Sequence, residues 1–369
     1  MKRITVVLIL ILILLVRPCF AAEADIDRKV QEALGTDTVE AAVPEGAKDL
    51  LGELSADENI EVSEKLSALW RAAADLLTAR MRDAAKNAAT VLVITALCAL
   101  AEAMAEGAAA RSVISLGGVL AASSVLVGTV SSFFALGTET LTTLSQFSKA
   151  LLPCIAAAAA ASGTMGAATA ESAATALFLS LLLSLMNVLI MPLIYACAAA
   201  VIADAAVGGS VLSAAARLMK KICTLLLTLL VTAFTVYFSV TGAISGAAGQ
   251  LGVKLTKTAV SAALPVVGGI LSDAASSVLV GAAMLRNTVG VFGLLVVLAI
   301  CLAPVVTLGC YLVLYKLAAA VAETLADRRM CGLIGGIGDA FGMVLAAVGA
   351  GGFILLFSII MSIRAVTAV

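Results

Sequence analysis

Six long apolar stretches, at 88–104, 112–136, 173–203, 222–247, 289–315 and 341–363, decide most of what this chain can become. A helix rises about 1.5 Å per residue, so about 20 apolar residues cross a hydrocarbon core of about 30 Å. Inside lipid no water satisfies a backbone N–H or C=O, which leaves the helix as the form for an isolated spanning segment. Hydrophobic residues make up 62% of the chain, where a soluble domain holds about 45–50%. Two further stretches, 150–168 and 259–283, are apolar but rich in Ala, Gly and Ser. Each reads as a full span or as a re-entrant or short hairpin segment. The expected fold is therefore an all-α, polytopic helical membrane protein of six to eight spans.

The 369 residues carry a formal charge of only −1, and that balance hides a polarity. Residues 23–83 hold 15 acidic and 7 basic groups, and the rest of the chain is slightly basic. Ahead of this acidic stretch, Lys2 and Arg3 precede the apolar run Ile4–Val16, and small residues follow at Ala21, Ala22 and Ala24. That order predicts a cleaved export signal over 1–24. It also predicts an acidic extracytoplasmic head over 25–84 and a polytopic membrane domain over 85–369. Residues 23–60 are polar and interrupted by Gly35, Pro44 and Gly46, the composition of a loosely ordered segment. From 60 to 84, Leu66, Leu69, Ala73, Leu76, Leu77 and Met81 recur at helical spacing, with charges on the other face. Trp70, the one tryptophan, lies in this amphipathic helix. It reads equally as an interfacial anchor or as part of a partner-facing head.

The two Ala-rich stretches begin alike, with Ala150-Leu151-Leu152-Pro153 and Ala262-Ala263-Leu264-Pro265. Pro192 and Pro304 follow at matching distances, and basic clusters follow them in turn: Arg217, Lys220 and Lys221, then Arg328 and Arg329. The common offset of 112 indicates a tandem repeat, over about 149–248 and 259–364. If each Leu-Pro stretch is a separate span, the repeats are inverted. If each is a hairpin, the repeats are parallel, six spans remain, and both basic clusters face the cytoplasm. The second arrangement is preferred, although it leaves Lys254, Lys257 and Arg286 outside. Pro153, Pro192, Pro265 and Pro304 are expected to break their helices, either lining a transport path or serving as packing kinks.

No histidine is present. The commonest general base, metal ligand and nucleophile partner are thus missing. None of the eight cysteines forms a CxxC pair, and no zinc or disulfide framework follows. No catalytic, cofactor-binding or metal-binding set is expected, and the acidic head has the wrong sign for nucleic acid. The polar residues that remain in or beside the spans are Asp273, Arg286, Asn287, Lys316 and Asp339. A charge at the centre of a lipid-facing helix costs about 2.5–3.5 kcal/mol, so each is a structural or functional candidate. Lys316 reads as a snorkelling side chain and Asp339 as a helix-start residue. The spacings Gly242-x-x-x-Gly246, Gly332-x-x-x-Gly336 and Gly338-x-x-x-Gly342 point to close helix packing or to a homo-oligomer.

Three segments carry a family likeness: Leu264-Pro265-Val266-Val267-Gly268-Gly269-Ile270-Leu271-Ser272-Asp273-Ala274, Leu285-Arg286-Asn287-Thr288-Val289-Gly290, and Tyr315-Lys316-Leu317-Ala318-Ala319-Ala320. With the Gly338-Asp339-Ala340 step, they resemble the stage III sporulation protein AE family. The likeness extends over about 60–369 and is most specific over 259–345. It implies a non-enzymatic protein of the mother-cell membrane around the forespore. Implied partners are the other stage III A proteins, including the ATPase stage III sporulation protein AA, and indirectly the forespore protein Q. Together they would form a secretion-like channel between the two cells. The family supplies no agreed catalytic residues to carry over. A membrane permease or export gate is the alternative reading.

Overall fold

The computed structural model of this chain describes residues 36–52, 62–161, 167–207, 210–263 and 268–367. Two short helices come first, α1 (Thr36–Ala41) and α2 (Glu45–Leu51). Long helices follow: α3 (Val62–Met104), α4 (Ala108–Ala161), α5 (Ala167–Leu185), a π-helical segment (Met186–Ile190), α6 (Met191–Val207), α7 (Ser210–Ala263), α8 (Gly268–Ala322) and α9 (Arg328–Thr367). No strand occurs among the described residues. Among the described residues, six helices are long and apolar enough to cross a membrane, and each contains one of the six apolar stretches. The expected signal segment, 1–24, lies outside the described residues.

Residues 36–52 of the head are more ordered than their composition suggests. Val39, Val43, Ala47 and Leu51 are buried, in one apolar cluster with Leu69, Leu151, Val289 and Phe292. Four apolar side chains, three on the two short helices and Val43 between them, are enough to seat 36–52 on the ends of the long ones, which offsets the polar remainder. Lys65 Nζ adds a tether by donating to the Leu51 carbonyl at 2.8 Å. The amphipathic segment 60–84 is the first half of α3, which passes residue 84 without a break.

Both Leu-Pro stretches fall where one long helix gives way to the next. Residues 150–161 are the end of α4, and 259–263 are the end of α7. Among the described residues, neither stretch adds a short separate helix to the six. Pro153 and Pro304 do not break their helices, because α4 and α8 run through them. At the buried Pro304, neighbouring helices hold the backbone where one N–H is missing, as is common in packed membrane helices. Pro192 differs. It follows the π segment, where the Met191 N–H donates to the Met186 carbonyl five residues back. The ring of a proline crowds the preceding turn, and the wider π turn leaves room for it. Pro265 lies outside the described residues.

Side-chain contacts give the directions of the helices. A Cβ on Gly336 of α9 would meet Val201 of α6 at 2.5 Å, and one on Gly351 would meet Leu183 of α5 at 3.3 Å. Gly342 likewise faces Leu312, and Gly352 faces Cys301, both on α8. The α5–α6 rod and α8 therefore both run antiparallel to α9. Lys220 pairs with Asp339, and Phe234 packs on Phe357 with ring centroids 5.8 Å apart, so α7 runs parallel to α9. The two hairpins, α5–α6 with α7 and α8 with α9, thus point the same way.

Helices α8 and α9 form the centre. Tyr311 and Phe341 from this pair pack on Phe133 of α4, with the Phe133 ring 4.4 Å from Tyr311 and 4.8 Å from Phe341, and Tyr315 packs on Phe341 behind them. Helix α3 lies along α8, where Asn87 Nδ2 donates to Tyr311 Oη at 2.7 Å.

Candidate functional site: a carboxylate shared by two lysines

Asp339 accepts from two ammonium groups. Lys220 Nζ of α7 reaches Oδ2 at 2.6 Å, and Lys316 Nζ of α8 reaches Oδ1. Three helices are tied by one carboxylate. Each lysine side chain is 47% exposed and the aspartate 28%. Two positive charges against one negative leave a net charge of +1, on a chain segment that is otherwise apolar.

The position of this group follows from the sequence around it. Residues 222–253, 287–315 and 340–363 contain no charged side chain. Lys220 stands just before the first run, Lys316 just after the second and Asp339 just before the third. The pairing brings these three boundaries to one height. That plane is where the apolar parts of α7, α8 and α9 begin. A charged group at such a boundary keeps access to water and avoids the cost of burial in hydrocarbon. Asp339 is well inside α9, which starts at Arg328. It is therefore not a helix-start residue, and its carboxylate is held by lysines rather than by free backbone N–H groups.

Beyond the plane, on the side of the 105–107 and 323–327 connections, lies a second polar group. Ser115 Oγ donates to Asp327 Oδ2 at 3.4 Å. The single S–H of Cys98 has two acceptors within reach, Glu102 Oε1 at 3.5 Å and the Ile114 carbonyl at 3.4 Å. Asp327 Oδ1 also accepts from the Arg328 N–H at 2.7 Å, at the start of α9. Among the described residues, no three His, Cys, Asp or Glu side chains are placed to hold a metal.

A further polar contact stands between α4 and the π segment. Asn187 Nδ2 donates to Thr142 Oγ1 at 2.9 Å, and Thr142 Oγ1 donates to the Thr138 carbonyl at 2.8 Å. Asn187 Oδ1 is buried and accepts no hydrogen bond from the described side chains.

The structure thus joins two of the residues singled out from sequence, Lys316 and Asp339. It adds Lys220, which the sequence showed only as one member of a basic cluster. The signal that would have found it is its place as a boundary charge before an uncharged run. The side chains of Asp273, Arg286 and Asn287 lie outside the described residues. Trp70 is 78% exposed on α3. The glycine spacings prove uneven. Gly338 and Gly342 both face α8, at Tyr315 and Leu312, while Gly332 has open space around it.

Comparison with known proteins follows the same layout. The family described as stage III sporulation protein AE matches residues 47–366. A curated protein named stage III sporulation protein AE, from Bacillus subtilis (strain 168), is 25% identical over 287 residues. The match covers 77% of this chain and 71% of that protein. No solved structure matches.

Proposed function

Because the chain belongs to the stage III sporulation protein AE family, we propose that it is a non-enzymatic component of the channel complex joining mother cell and forespore. The role in sporulation comes with the family. Membership of the channel complex is our reading. The observation that carries it is the family match over 47–366, which takes in the second half of the head and all six apolar helices. The protein would sit in the mother-cell membrane around the forespore, with the head in the space between the two cells. Its basic end would face the mother-cell cytoplasm, where an ATPase of the same assembly, stage III sporulation protein AA, can reach it. The other stage III A proteins, and through them forespore protein Q, would meet the head. The absence of histidine and of any P-loop sequence fits a protein that leaves energy conversion to a partner.

A second reading is an export gate or permease. One observation favours it: the π segment ahead of Pro192, with Asn187 Oδ1 left without a donor inside an apolar helix pair. Local π turns recur at functional sites.

Deletion of the gene in its host, followed by microscopy with a late forespore reporter, tests the first reading. Engulfment should complete, after which the forespore should collapse with the reporter dark. Normal spores would sink it. Asn187→Ala then separates the two readings: a gate loses transport with assembly intact, whereas a platform keeps both.

A further inference from the structure

The uncharged runs of α7, α8 and α9 begin at the lysine–aspartate plane, but the exposed apolar surface continues past it in both directions. Toward the head, Ile222, Leu225 and Leu229 of α7 are exposed. Leu229 stands nine residues from Lys220, about 14 Å away. In the other direction, Leu317 and Val321 of α8 and Val207 of α6 are exposed. Val201 of α6 faces Gly336, three residues before Asp339, so Val207 stands about 14 Å beyond the plane. On each side the apolar surface therefore extends about as far as half of a hydrocarbon core of about 30 Å. The charged group is set within that surface rather than at its edge.

The group is also unbalanced. Arg217 and Lys221 of α7 are exposed beside Lys220 and Lys316, and among the described residues neither forms an ion pair. Four cations against the single carboxylate of Asp339 leave a surplus of three positive charges. Such a surplus inside an apolar surface is costly unless anions compensate it. Lipid phosphates lie at the edges of that surface, farther than a lysine side chain reaches. A second copy in the same orientation brings no described carboxylate to this height. Glu323, seven residues past Lys316, lies about 10 Å to one side. Glu139 lies about 10 Å to the other, since Gly137 faces Val344, five residues past Asp339.

The surface beside the charges has room for a helix. Asp339, Ala346 and Phe353, seven residues apart, share one face of α9. On one flank of this face Gly342 meets Leu312 of α8, and on the other Phe357 packs on Phe234 of α7. The face is thus the floor of a furrow between α7 and α8, and Ala346, Gly349 and Phe353 are exposed along it. A Cβ on Gly349, or on Gly309 of α8, would meet nothing within 4 Å. On α7, Arg217, Lys221, Thr224 and Thr228 recur at spacings of four, three and four on the exposed side. That side is turned away from Tyr237, which packs on Phe178 of α5. We propose that this furrow receives a membrane helix of another protein, one that carries a carboxylate at the level of the lysines. Small residues on the floor let the two backbones approach closely, and the carboxylate compensates the surplus charge. The inference stands on charge and exposure, independently of the sporulation role.

The test uses the full chain in vesicles of zwitterionic lipid. The probe is a synthetic Leu-Ala peptide that spans the membrane and carries one Glu, placed in turn at three depths, or Gln at the same place. In a W70F background, L229W reports binding by energy transfer to a labelled peptide. At one depth the Glu peptide should bind about tenfold more tightly than its Gln counterpart. R217Q/K221Q, which leaves the three-helix ion pair intact, should remove most of that preference. G349L, which fills the furrow, should abolish binding of both peptides with the thermal midpoint unchanged. Equal binding of Glu and Gln peptides at every depth would overturn the proposal. Displacement of the Glu peptide by anionic lipid in the vesicles would also overturn it, by assigning the charges to headgroups. A covalent dimer of A346C on oxidation, absent from wild type, would overturn it in favour of a second copy.

Discussion

Asp339 holds two lysines that would otherwise face each other across about the width of one side chain. An exposed ion pair contributes about 0–1 kcal/mol, and both lysines are half in water. The larger consequence comes from removing the carboxylate, which leaves two ammonium groups adjacent with no counterion. Asp339→Asn should therefore lower the thermal midpoint of the purified protein by a few degrees, corresponding to about 1–2 kcal/mol for a chain of this size. Adding Lys220→Gln to Asp339→Asn should recover part of that loss, because the repulsion goes with the charge. If the double variant is no more stable than the single one, the lysines are not coupled through Asp339. Two members of this group were legible in the sequence, as lone charges at the ends of apolar runs. Their pairing was not, since 119 residues separate Lys220 from Asp339 and only helix packing brings them together.

Among the elements, α3 was the most legible. Its period of three and four survives from 62 to 104, and only its length was underestimated, because charge on one face disguised a continuous helix. The prolines were less so. The repeat sets Pro192 and Pro304 as equivalents, yet a π segment precedes the first and an unbroken α-helix contains the second. The repeat spacing does not predict this difference, and burial does not explain it either, since the exposed Pro153 also lies within an unbroken helix. Glycine contacts do depend on packing. Gly336 faces Val201 so closely that a Cβ would come within 2.5 Å of Cγ1 and 3.0 Å of Cγ2. Valine has few rotamers to offer in a helix, so α6 and α9 would have to move apart. Gly336→Ala should cost about 1–3 kcal/mol as overpacking, read as a lower midpoint or faster proteolysis. Val201→Ala in the same chain should restore the loss. Gly332→Ala, on the same helix with open space around it, should change little. Equal effects at both glycines would mean that helix contact is not the cause.

At the level of the whole molecule, one crossing for each of the six long apolar helices would bring the chain back to the side from which α3 enters. The start of α3 and the end of α9 then share one face of the membrane, and the head is seated at that end through Leu51, Leu151 and Val289. The opposite end carries Arg111, Arg217, Lys220, Lys221, Lys316, Arg328 and Arg329. Short loops rich in Lys and Arg stay in the cytoplasm during insertion, while acidic residues contribute little to orientation. This end should therefore be cytoplasmic, although Lys254, Lys257 and Arg286 stand toward the head. Lys254, Lys257 and Arg286 lie six or more residues inside the ends of α7 and α8, whereas Arg328 and Arg329 follow the 323–327 loop directly. Their opposing vote is the weaker one. The expectation is checked by single cysteines in intact cells. A cysteine at Asp49 of α2 should react with a membrane-impermeant reagent from outside. One at Thr324, in the connection between α8 and α9, should react only after the membrane is opened. The reverse result would turn the protein over, place the head in the cytoplasm, and remove the intermembrane space as the site where partners meet it.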